Sequence, residues 1–129
     1  SKFFEGLIDQ LLAAAKGKFE LSEEMDDGLT LEHHLISYWK QSGILPDQLN
    51  IPPIPHELYY IWSWWLDLHK TRPVGMSEGH VTYTEMSNWS NLLKIKITPF
   101  EIRCIMLLDS AYISFRIKQE KQKLASSKN

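Results

Sequence analysis

Apolar side chains recur at helical spacing along most of this chain, and Thr, Pro and Gly punctuate the runs. Over residues 2–15, Phe3, Phe4, Leu7, Ile8, Leu11 and Ala15 fall on one side, with Lys2, Glu5, Asp9 and Lys16 on the other. That pattern predicts an amphipathic helix, either packed on its own domain or offered to a groove on a partner. Residues 16–28 carry no such stripe. Gly17, Gly28 and the acids Glu20, Glu23, Glu24, Asp26 and Asp27 predict a solvated loop or linker there. Calcium binding would need a spaced ligand pattern that this run lacks. Thr30 is placed to cap a helix running to about Gln41, with Leu31, Leu35, Tyr38 and Trp39 on one face and Gly43 as its stop. Residues 44–55 form a proline-punctuated connection.

The richest stretch is residues 50–72, NIPPIPHELYYIWSWWLDLHKTR, with three of the chain's five tryptophans. Pro55 suits the first turn of a helix, where its missing N–H would have no partner. Pro73 stops the run and disfavours helical geometry at Arg72. The interval predicts about seventeen helical residues, roughly 25 Å at 1.5 Å each. Leu58, Ile61, Trp62, Trp65, Leu66, Leu68 and His69 share a broad face, with Tyr59 at its edge. Ser63, Asp67 and Lys70 make a narrow polar wedge, and Tyr60 and Trp64 lie on the far flank. Apolar cover this wide suits a core helix touched on two sides, or a helix whose Tyr60 and Trp64 meet a partner.

Beyond a glycine-containing loop at 74–80, Thr82-Tyr83-Thr84-Glu85 reads as a capping box. It should open a short helix to about Leu92 that buries Met86 and Trp89. Leu93, Ile95 and Ile97 alternate with Lys94 and Lys96, but no second strand offers to pair, so an extended connector is expected. Thr98-Pro99-Phe100-Glu101 then combines a threonine cap, proline at the first helical position and glutamate at the third. The helix should run to about Lys118 or beyond with two apolar stripes: Phe100, Cys104, Leu107, Leu108, Ala111 and Phe115, and on the opposite side Ile102, Met106, Ile113 and Ile117. Such a helix is central in its domain or shared with another chain. Asp109 lies by the second stripe, near Arg116. The lysine- and serine-rich tail, residues 118–129, is expected to fray or stay disordered. These elements predict an all-α fold, a compact bundle of four or five helices. Residues 1–28 would be an N-terminal helix and acidic linker, 29–118 the helical core domain, and 119–129 a flexible basic tail.

At 129 residues the chain is long enough to bury a core without staples, and 43% hydrophobic content excludes a disordered chain. The single cysteine excludes an internal disulfide and fits a reducing compartment. The longest apolar run, residues 58–66, is too short to span a bilayer and is interrupted by Ser63, and no secretory signal pattern opens the sequence. A soluble, intracellular protein without a membrane partner is expected. The net charge of −2 hides a split: residues 1–60 hold ten acids and four lysines (−6), residues 61–129 ten bases and six acids (+4). Such a split favours contact between the halves or between copies, a homo-oligomer. The scattered bases make no nucleic-acid footprint.

Candidate chemistry is thin. His33 and His34 are adjacent and cannot face one metal from one side of a helix, and no HExxH spacing exists among these, His56, His69 and His80. Asp67 and Asp109 would make an acid pair only if the fold joined them; salt bridges on helix surfaces are the expected alternative. No glycine-rich phosphate loop or GxSxG motif is present, and Cys104 lies on an apolar stripe, where a thiol is inert. No enzyme activity, cofactor or metal is expected, so function should reside in surfaces.

Residues 31–113 resemble the tail assembly chaperones of long-tailed bacteriophages, small tail proteins associated with the tape measure. The resemblance is carried by YWKQSG (38–43), PPIPHELYYIWSWWLDLHKTRP (52–73), TYTEMSNW (82–89) and ITPFEIRCIMLLDSAYI (97–113). Phe100 stands where the family pattern often has tryptophan, a departure that touches packing more than function. The resemblance implies a protein of the host cytoplasm that binds the tape measure protein and holds it soluble while the tail tube protein assembles around it. It would then be missing from the finished virion. Tyr60, Trp62, Trp64, Trp65, Ile102, Met106 and Ile113 are the expected partner-binding residues. Hydrophobic anchors of this kind can cover exposed helices, and the acidic segment would keep the complex in solution. The alternatives are a minor structural component retained in the tail, and a helical adaptor unrelated to phages.

Overall fold

The computed structural model describes residues 2–72 and 79–127. Five α-helices lie among them: α1 (Lys2–Leu21), α2 (Leu31–Ser42), α3 (Tyr59–His69), α4 (Tyr83–Leu92) and α5 (Pro99–Ser127), with 3-10 turns at Asp47–Leu49 and His56–Leu58. No strand occurs among the described residues. The fold is all-α, as the periodicity predicted. The chain forms two units, Ser1–Ile54 and Pro55–Asn129.

Capping chemistry works where the sequence placed it. Thr30 accepts from the His33 amide at the start of α2, and Gly43 ends that helix with φ +74°, its N–H donating to the Trp39 carbonyl. In the left-handed region only glycine escapes a Cβ clash, which makes it the natural stop. Thr82 and Glu85 form a reciprocal capping box before α4. At α5, Thr98 N–H donates to Glu101 Oε1 (2.8 Å) and Glu101 N–H donates to Thr98 Oγ1 (3.3 Å).

In the first unit, α1 runs six residues past its expected end at Ala15, through Gly17 to Leu21, and buries Phe19 and Leu21 as well as Leu7, Ile8, Leu11, Ala14 and Ala15. Gly17 is therefore no helix stop. A Cβ there would lie 2.6 Å from Ile51 Cγ2, so the glycine serves a close approach. Phe3 and Phe4, on the expected apolar side of α1, are largely exposed. After α1 the acidic segment turns tightly. Met25 N–H donates to Leu29 O, Leu31 N–H to Glu23 O, and Gly28 takes φ +83°. Asp27 accepts from the Leu29 amide and contacts His34 Nε2 on α2. No residue of α2 is buried.

In the second unit α3 packs along α5 and touches α4. Ile61, Trp62, Trp65 and Leu68 of α3 are buried, as are Cys104, Ile105, Leu108 and Ile113 of α5, together with Leu58, Val81 and Met86. Each such side chain contributes about 1.5–3 kcal/mol relative to exposure. The seventeen-residue helix expected after Pro55 is shorter in fact. Pro55 is extended and precedes the His56–Leu58 turn, and α3 spans only 11 residues. It ends because Thr71 Oγ1 donates to the Leu68 carbonyl and the Arg72 side chain is drawn to α5. Pro73 and most of the expected glycine loop lie outside the described residues. The link at 95–98 is irregular, as expected of a connector. α5 continues beyond Lys118 to Ser127, with 120–127 exposed. No Gly or Pro interrupts that run, and an Arg116–Glu120 pair one turn apart supports it.

Candidate partner-binding surface

The second unit's surface rests on a buried polar anchor. Asp109 is fully buried, where an uncompensated carboxylate would cost several kcal/mol. It accepts from Trp65 Nε1 (3.0 Å) and the Val81 amide (2.8 Å), and forms an ion pair with Arg72. Arg72 also donates to His69 Nδ1 and to the Gly79 carbonyl, and lies 5.3 Å from the Tyr112 ring. His69 stacks on Trp65 at 4.7 Å and meets Tyr112 edge-on. This cluster ties the end of α3 and the residues just before α4 onto α5. The expectation of surface salt bridges for Asp109 is thus corrected: its cation is Arg72, while Arg116 bonds Gln119 and Glu120. Sequence separation of 37 residues hid the pair.

On the accessible side, Tyr60 OH donates to Glu101 Oε2 (2.6 Å). Burial, and then the Glu101 carboxylate, push the phenol up to about 12. For Glu101, burial acts upward, but hydrogen bonds from Tyr60 and Thr98 outweigh it and hold the carboxyl below its ordinary value. Tyr60 meets Trp64 edge-on at 4.9 Å, and Trp64 meets Trp89 at 5.7 Å. Trp89 Nε1 donates to Asp67 Oδ2 (2.7 Å), so Lys70 and then Trp89 keep that carboxyl low. Asp67 and Asp109 serve separate networks and form no acid pair.

Beside α5 an open groove of about 300 Å³ is lined by Tyr83, Pro99, Ile102, Arg103, Met106, Leu107 and Ser110. The structure places the expected partner-binding residues unequally. Tyr60 is exposed and Trp64 half-buried in the aromatic row, and half-buried Ile102 and Met106 meet in the groove. Trp62, Trp65 and Ile113 are buried. Tyr83, which is not among the expected partner-binding residues, is 69% exposed on the groove rim, and Trp89, expected to be buried, is half-buried in the row. Tyr83 was legible in principle: directly after its cap, a first-turn side chain has no preceding turn to pack on. Tyr38, Trp39, Ile44 and Leu45 of the first unit are also exposed.

Cys104 is fully buried, and burial pushes its thiol up, away from the reactive thiolate. Among the described residues no group of three or more His, Cys, Asp or Glu side chains is placed to hold a metal ion, and no helix is long and apolar enough to cross a membrane. What this surface offers is apolar and aromatic area with a few oriented polar groups, the makings of protein recognition.

The family model described as phage tail assembly chaperone matches residues 38–114. That span takes in α3, α4 and the groove-lining part of α5. No curated protein and no solved structure matches the chain.

Proposed function

The chain belongs to the phage tail assembly chaperone family, and from that premise we propose that it binds the tape measure protein in the host cytoplasm. It holds this partner soluble while the tail tube protein assembles around it, and leaves before the tail is complete. The activity is binding, with no catalytic step and no cofactor. The observation that carries the reading is the accessible apolar area inside the matched region: the groove of Tyr83, Ile102 and Met106, and the aromatic row of Tyr60, Trp64 and Trp89. Aromatic side chains lose little rotamer entropy on docking and dominate interface energies, so a few such anchors suffice to hold an exposed helix of a partner. The buried Trp62, Trp65 and Ile113 act beneath this surface by fixing α3 and α5.

The test is co-expression with the tape measure protein of the same genome, read by solubility and copurification. A soluble complex should form only when this chain is present. Tyr83→Ala should weaken it by roughly 2 kcal/mol, about thirtyfold in Kd, because the side chain is exposed and free of core packing. An insoluble tape measure with no copurification refutes the proposal. Mass spectrometry of purified particles that finds this chain in stoichiometric amount would instead make it a structural component.

A further inference from the structure

A second surface lies outside that groove. α2 has twelve residues and buries none of them. In its last turn Tyr38 and Trp39 are 52% and 45% exposed, and Ile44 and Leu45, just past the Gly43 cap, are 62% and 46% exposed. Four large apolar side chains within eight residues are thus left largely exposed. The surrounding unit is acidic, with nine acids against four lysines in residues 1–54. Its tight acidic turn is joined to α2 through Asp27 and His34.

The opposite chemistry stands on the end of α5. Ile117 and Leu124 are 52% and 61% exposed. They are two turns apart on one face, with the exposed Lys118, Lys121 and Lys123 around them and one acid, Glu120, which is paired with Arg116. We propose that the α2 face of one copy receives the end of α5 of a second copy. Ile117 and Leu124 then cover Tyr38, Trp39 and Ile44, and the lysines lie against the acidic turn. Charge selects this pairing: α2 against α2 sets acids against acids, and α5 end against α5 end sets lysines against lysines, each repulsive. Because the two patches differ, the contact is head-to-tail, and it closes into a ring or continues as an open chain of copies. Exposed charges are screened within about 10 Å at 0.1 M salt, so association weakens as salt rises.

The experiment is sedimentation velocity on the whole chain over a range of concentration and salt. The wild type should exceed the monomer mass at low salt, grow with concentration and return to monomer at high salt. Lys118→Glu/Lys121→Glu/Lys123→Glu and Glu20→Lys/Glu24→Lys/Asp26→Lys should each be monomeric alone, with helical circular dichroism unchanged. Mixed together they should associate again, because each then meets its opposite charge. Trp39→Ala should lower association without altering charge. A wild type that is monomeric at every concentration, charge variants that associate as the wild type does, or a mixture that stays apart would each overturn the proposal.

Discussion

Gly17→Ala sets two effects of opposite sign against each other. In an isolated helix, alanine is about 1 kcal/mol better than glycine, so the substitution should stabilise α1 on propensity alone. In the folded chain the new Cβ would stand 2.6 Å from Ile51 Cγ2, 3.0 Å from Ile51 Cβ and 3.5 Å from its Cδ1. Ile51 is β-branched and stiff at χ1, and two of the three atoms are at or next to its Cβ, so no rotation of a flexible tip relieves the clash. Overpacking of this kind costs about 1–3 kcal/mol, and the hardness of the contact favours the upper part of that range. The net expectation is a loss of roughly 1–2 kcal/mol. Urea unfolding followed by circular dichroism measures it, with Ile51→Ala and the double variant completing a cycle. In the Ile51→Ala background much of the steric cost of about 1–3 kcal/mol should go, leaving Gly17→Ala near neutral or favoured by the propensity gain of about 1 kcal/mol. A peptide of residues 2–21 should gain helicity from the same substitution. A raised unfolding midpoint in the whole chain, with unchanged slope, would refute the close-approach account and return Gly17 to an ordinary helix glycine.

Lys94 ends α4 with φ +56°, and the Ile95 amide donates back to Ser90 O in the manner of a glycine-terminated helix. Lys94→Gly should raise stability by roughly 1 kcal/mol in thermal unfolding, since the left-handed conformation costs a residue with Cβ about 1–2 kcal/mol. Asp109→Asn keeps the shape but leaves the nearly buried Arg72 without its counter-charge, and should lose roughly 3–5 kcal/mol in the same measurement. Tyr60 should ionise above the ordinary tyrosine range in an ultraviolet pH titration. Its folded value lies above the ordinary 10.0, so the stability it adds is complete below pH 10.0 and fades as pH rises toward about 12. Glu101 has the opposite sign: its contribution is present above its ordinary 4.5 and is lost as pH falls through the lower folded value. Tyr60→Phe should move the Glu101 carboxyl upward, read by nuclear magnetic resonance titration.

The features legible from the residues alone were local. A threonine hydroxyl and a glutamate three residues on satisfy amides within one turn, so Thr82–Glu85 and Thr98–Glu101 marked their helices without any knowledge of the fold. Gly43 marked an end for the same reason, because its φ is a property of the backbone at that residue. The apolar period was enough for the all-α class, and residue pattern for the family. Everything that depends on what lies across from a residue came from packing. Gly17 reads as a stop until Ile51 is seen against it. Asp109 reads as a surface acid until Arg72, Trp65 and Val81 converge on it. The same holds for the tryptophans of α3. Trp62 and Trp65 point into the second unit and Trp64 toward its surface, a difference of helix rotation that periodicity drew only broadly and that packing against α5 settled. Long-range contact carries no local signature, because the free energy of burial depends on the neighbour and the sequence names only the residue.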